Sequence, residues 1–162
     1  MELAKPNMEI RDDSPQVIAL PPFIYLSGLV LGVILHWFYP LAFLPGKLTL
    51  SLGTLCILVS IVLVVTAMRA FRKAKTNIDT RKPTTSIVTA GPYRFSRNPI
   101  YLSMTLLFVG IAILVNSLWI LLALIPVLVM MRFGVIDREE IYLAKKFGEE
   151  YIRYKARVRR WL

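Results

Sequence analysis

From Ile100 to Met131 the chain carries no charged residue. As one helix rising 1.5 Å per residue such a tract would reach about 48 Å. That is too long for one crossing of a hydrocarbon core roughly 30 Å thick. Asn116 and Ser117 interrupt it near the middle, so the tract predicts a tight helical hairpin over 100–115 and 118–133. Two further apolar runs precede it. "PFIYLSGLVLGVILHWFY", residues 22–39, is bracketed by Pro21 and Pro40, and residues 48–71 end among Arg69, Arg72, Lys73 and Lys75. The expectation is an all-α integral membrane protein with about four transmembrane helices. Composition agrees, with 56% hydrophobic residues against roughly 45–50% apolar in soluble proteins.

Charge divides unevenly along this frame. Lys and Arg number 20 against 10 Asp and Glu, for a net charge of +10. The connection 72–98 holds seven of the basic residues, from Arg72 to Arg97, and nine more follow Met131. The loop between the first two spans has only Lys47, and the Asn116–Ser117 turn has none. Four spans with basic segments on one side place both termini in the cytoplasm. Uncharged runs separate the basic clusters, which argues against a nucleic-acid partner. The lone Cys56 and lone His36 supply neither a disulfide framework nor a metal set. The polar segment 1–20 begins acidic, unlike a signal peptide. The whole of 1–162 reads as one domain.

After the hairpin, residues 136–160 read as a single amphipathic cytoplasmic helix. Asp137 with Glu140 has the spacing of a capping box. Glu140, Ala144, Phe147, Tyr151, Tyr154 and Val158 then fall on one helical face. Gly148 inside the helix marks close packing or a bend. In the first span Gly28 and Gly32 form a GxxxG pair, which permits close helix packing and leaves a homo-oligomer open.

Polar groups crowd the threshold of the hairpin in "TTSIVTAGPYRFSRNPIY". Gly91 and Pro92 make a turn in which backbone can approach a ligand. Pro99 suits the first turn of the third helix, where the remaining free N–H groups favour an anion. Arg94 and Arg97 add charge-assisted donors, and Tyr93 and Tyr101 offer flat faces. Glu139 and Glu140 are acceptors for ribose hydroxyls or an ammonium group. Each of these has a plainer reading: arginines beside spans as topology signals, aromatics as an interfacial belt, and paired glutamates as helix-dipole partners.

The stretches "IVTAGPYRFSRNPIY" and "EEIYLAKKFGEEYIRYKARV", with the hairpin between them, resemble the isoprenylcysteine carboxyl methyltransferase family. They are similar, more distantly, to membrane phospholipid N-methyltransferases. The resemblance covers about the last half of the chain. It implies S-adenosylmethionine as cofactor and a lipophilic membrane acceptor, with no metal. By motif position it implies cofactor contacts from Thr85, Ser86, Ile87 and Val88, then Gly91 and Tyr93. Asn98, Pro99, Ile100 and Tyr101 follow, and Glu139 closes the site from the tail. Arg97, Asn98 and Glu140 are the candidate catalytic groups. The family's "RHP" is "RNP" here, so Asn98 stands where a histidine would titrate, and Val135 replaces an arginine that meets prenylcysteine substrates. These departures bear on the acceptor more than on the cofactor. A phospholipid amine and a small thiol remain alternative acceptors. A scaffold that kept only the fold, and a relative of NADPH-dependent sterol reductases, are the readings from other classes.

Overall fold

The computed structural model describes residues 13–77 and 82–162. Apart from one parallel bridge between Ser96 and Arg159, these residues are helix and loop. Helix α1 (Pro21–Phe38) opens on two prolines, whose fixed φ suits a first turn and whose missing N–H costs nothing there. Helix α2 spans Gly46–Lys73, α3 Pro99–Val115 and α4 Leu118–Met131. A π-helical turn, Arg132–Ile136, carries α4 directly into α5 (Asp137–Phe147), and α6 (Glu149–Arg157) follows.

Three helical stretches are long and apolar enough to cross a membrane: α1, α2 and the continuous rod Leu118–Phe147. The apolar part of that rod ends at Ile136, and the charged run from Asp137 projects beyond it. Helix α3 is equally apolar but has 17 residues. Large apolar side chains, such as Leu50, Leu58 and Val62 of α2, stand bare on the outer faces. In water so much exposed apolar surface would drive association; lipid is the solvent that accepts it.

The hairpin turns where the polar pair interrupts the tract. Asn116 ends α3 in the left-handed region at φ 53°, and the Ser117 hydroxyl accepts the Ile120 amide to cap α4. The α1–α2 loop folds over this turn. Asn116 Oδ1 accepts the amides of Phe43 (3.1 Å) and Leu44 (3.0 Å), and its Nδ2 donates to the Leu44 carbonyl at 2.9 Å. The indole of Trp119 donates to the Tyr39 carbonyl at 2.7 Å. The backbone groups of this loop thus find partners beside an apolar bundle.

Helix α1 packs on α4 and α2 on α3. Gly28 and Gly32 both face α4: a Cβ on Gly28 would lie 2.2 Å from Val127 Cγ2, and one on Gly32 would lie 2.6 Å from the Ile120 Cα. The GxxxG pair is used inside the chain. Gly53 and Gly110 do the same between α2 and α3, where the Ser60 hydroxyl also donates to the Ser103 carbonyl at 2.7 Å.

The expectation of one helix over 136–160 is corrected. Gly148 at φ 52° breaks it into α5 and α6, and from Val158 the backbone is extended. Asp137 caps nothing, because the helix arrives unbroken from α4 and no free N-terminal N–H groups exist there. The starts of α1 and α3 and the ends of α2 and α4 meet at one end of the bundle, under α5 and α6.

Candidate functional site

A cavity of about 430 Å³ opens at that end, within the roughly 300–1,000 Å³ usual for small-molecule sites. Ten of the residues singled out in the sequence line it. Ser86, Ile87, Val88 and Tyr93 come from the loop, Arg97, Asn98, Ile100 and Tyr101 from the start of α3, and Glu139 and Glu140 from α5. Thr85, Gly91 and Pro99 are outside the wall. The Thr85 hydroxyl donates to the Lys75 carbonyl at 3.1 Å and so ties the loop to the end of α2. Gly91, at φ 62°, starts the 3-10 turn Gly91–Arg94 that presents Tyr93, and Pro99 is buried at the first position of α3.

Tyr93 stands edge-on to Phe71, with ring centroids 5.4 Å apart, and its carbonyl accepts the Tyr154 hydroxyl at 2.8 Å. Burial raises the Tyr93 phenol, with the neighbouring Tyr154 and Glu139 adding to it. Asn98 is spent largely on the tail. Its Nδ2 donates to the Arg160 carbonyl at 3.0 Å, the Ser96 hydroxyl donates to the same oxygen at 3.2 Å, and the Arg97 amide donates to the Arg159 carbonyl at 2.9 Å. Residues 159–160 are thereby strapped to the "SRN" segment through one parallel bridge and side-chain hydrogen bonds.

The adjacent glutamates differ sharply. Glu139 is half-buried and accepts the Tyr101 hydroxyl at 2.5 Å. Among the described residues no cation pairs with it. Burial pushes its carboxyl up to about 7; the Tyr101 hydrogen bond opposes this and the charge of Glu140 adds to it. Glu140 has three cations: Arg160 through Nε at 2.9 Å, Lys155 at 2.9 Å and Arg97 at 3.2 Å. Burial alone would raise this carboxyl as well. Hydrogen bonds from Arg160 and Lys155 and the charges of Arg97 and Arg160 outweigh it and hold Glu140 below its ordinary value. Arg160 also meets Asp137 at 2.9 Å. Tyr151 shares this corner; its phenol is pushed up to about 12 by burial and the Glu140 charge, against the pull of Arg97.

Sequence reasoning missed several wall residues. Leu20, Pro21, Pro22, Phe71 and Met104 form an apolar side contributed by α1, α2 and α3. Tyr142, one turn beyond Glu139, accepts the Thr84 amide at 3.2 Å and bonds Asp13 at 2.9 Å. Tyr151 and Tyr154 were legible as one face of a helical stripe, and both line the cavity. For Arg160 no spacing gave a signal, because its partner lies 20 residues away.

A single kind of chemistry runs through this arrangement: a carboxyl without a counter-cation, aromatic faces, and an apolar side opening among membrane helices. A curated relative, an uncharacterized protein of Haemophilus influenzae, is 49% identical over 63 residues, which are 38% of this chain and 98% of that protein. No solved structure matches. The model of the phospholipid methyltransferase family matches residues 48–150, from α2 through the motif loop and hairpin to the start of α6. The chain belongs to the phospholipid methyltransferase family, a family of membrane methyltransferases.

Proposed function

We propose that this protein is an S-adenosylmethionine-dependent methyltransferase acting on a lipophilic, membrane-held acceptor. The observation that carries the reading is Glu139, a carboxyl with no cationic partner among the described residues, beside Tyr101 in a cavity whose other side is apolar. The wall fits the cofactor: S-adenosylmethionine carries an ammonium and a sulfonium for an unpaired carboxylate, a ribose for hydrogen-bond acceptors, and a purine for an aromatic face such as Tyr93. When bound, it supplies a methyl group on positively charged sulfur.

The chain's own contribution is positional. Glu139 balances positive charge, and the Tyr101 hydroxyl fixes the orientation of its carboxylate. Phe71 holds the Tyr93 ring upright, and Tyr154 ties the Tyr93 backbone to α6. Leu20, Pro22 and Met104 give a lipid tail a dry approach from the helices. Orientation and exclusion of water supply much of the acceleration available to a displacement of this kind. An amine acceptor must also lose a proton before it attacks. The Lys and Arg distribution supports a cytoplasmic position for this end of the bundle.

The test is calorimetric titration of S-adenosylmethionine and S-adenosylhomocysteine into detergent-purified protein, with NADPH as control. Micromolar binding of the first two, weakened but measurable in Glu139→Gln and Tyr93→Ala, is the expected result. It opens the way to assays with a labelled methyl group on phospholipid amines, prenylated carboxylates and thiols. Folded protein that binds none of the three is a scaffold, and binding of NADPH alone marks a reductase.

A further inference from the structure

The Glu140 cluster holds more positive than negative charge. Three cations (Arg97, Lys155 and Arg160) face two carboxylates (Glu140 and Asp137). Lys155 and Arg160 are partly exposed and can share their charge with water, whereas the Arg97 side chain is only 9% exposed. One Arg97 nitrogen, Nη2, reaches Glu140 at 3.2 Å, while among the described residues its Nε and Nη1 are buried with no well-formed hydrogen bond, the Tyr151 phenol being a neighbouring oxygen that draws on the same guanidinium. Arg97 lines the cavity. Buried guanidinium N–H groups left unpaired are costly, and a guanidinium edge offers the parallel donors that a carboxylate or phosphate accepts in pairs.

We propose that Arg97 is the receptor of an anion subsite in this cavity, binding a carboxylate or phosphate through Nε and Nη1 while Nη2 stays on Glu140. Glu140 then acts as a positioning residue, holding the guanidinium from behind. With Glu139 in the same cavity the site is polarised, a guanidinium with two open donors on one part of its wall and, among the described residues, a carboxyl without a cation on another. Such a cavity selects a zwitterion: an acidic group for Arg97 and a positive centre for Glu139. Two ligands of the proposed reaction carry this chemistry, the amino-acid end of the cofactor and an acidic lipid headgroup. Naming them rests on the methyltransferase reading, whereas the anion site does not.

The experiment compares ligands that differ only in the anionic group, in wild-type protein and in Arg97→Gln. Glu140 keeps Lys155 and Arg160 in that variant, so the fold is expected to hold. The first arm titrates S-adenosylmethionine against its decarboxylated analogue. The second, with S-adenosylhomocysteine saturating where it binds, titrates dodecyl phosphate against dodecanol in mixed micelles. Loss of one well-paired anion should cost about ten- to a hundredfold in affinity. If the wild type prefers S-adenosylmethionine by that factor and Arg97→Gln abolishes the preference, the anion is the cofactor's. If only the dodecyl phosphate preference depends on Arg97, it is the headgroup's. If neither preference exists in the wild type, or both survive in Arg97→Gln, the proposal is overturned. Should Arg97→Gln fail to fold, the wild-type comparison with Arg97→Lys decides, since lysine keeps the charge but not the paired donors. Failure of both cofactor forms to bind sinks the methyltransferase reading, and the alkyl phosphate arm then decides the anion site alone.

Discussion

Within the bundle, helix meets helix where side chains are missing; at its polar end, helix meets loop through charged ones. Between α1 and α4, Gly28 and Gly32 let Val127 and Ile120 sit on bare backbone, a fit by shape. Around Glu140, α5, α6, the "SRN" segment and the tail are joined by ion pairs and backbone hydrogen bonds. Shape does not respond to pH, and ion pairs do. The site should therefore loosen under conditions that leave the bundle intact, so the two regions can be broken separately.

Glu140→Ala gives the largest expected effect. It strips three cations of their common partner, and breaking a buried pair costs about 3–5 kcal/mol. The lower end applies, because Lys155 and Arg160 are partly exposed. Thermal unfolding in detergent should register this, with α6 and the tail becoming protease-sensitive first. Gly32→Val comes next, at about 1–3 kcal/mol. Its Cβ meets the backbone of Ile120 at 2.6 Å, which cannot swing away. The loss should be the same at pH 6 and pH 8, and a pH-dependent loss would contradict a contact made by shape alone.

A third prediction sharpens the contrast between neighbouring glutamates. Glu139 is raised from an ordinary 4.5 to about 7, so the folded chain holds a proton that the unfolded chain releases. Between those values its contribution to stability falls as pH rises. A bound cation reverses the preference, so cofactor affinity should strengthen about tenfold from pH 6 to pH 8, with proton release on binding. In Glu139→Gln that slope should vanish. The smallest effect is at the break between α5 and α6. Gly148 adopts φ 52°, where an L side chain is strained, so Gly148→Ala should cost about 1 kcal/mol. It should misplace Tyr151 and Tyr154 without touching the bundle.

The bundle was largely legible because its rules are local. An uncharged tract too long for one crossing, interrupted by Asn116–Ser117, can hardly be anything but a hairpin, and both residues proved to be caps. Pro21 and Pro99 announced helix starts in the same way. Ten residues of the cavity wall were legible, mostly through motif resemblance rather than physics. What escaped reading depends on distant pairing. Asp137 and Glu140 carry capping-box spacing, but a π turn feeds the helix from behind, and Glu140 instead serves residues 155 and 160. Nor does spacing tell that the Tyr154 hydroxyl reaches the Tyr93 carbonyl, since an amphipathic face does not name its partner atoms.

The prolines that open α1, the residues that open α3 and Phe71 near the end of α2 line the same cavity. On the proposed reading the reaction therefore takes place at the edge of the bilayer. There a lipid acceptor meets a cofactor that arrives from water. The acceptor's effective concentration is then a surface density. Turnover should follow its mole fraction in the membrane, and adding more membrane of the same composition should leave the rate per enzyme unchanged.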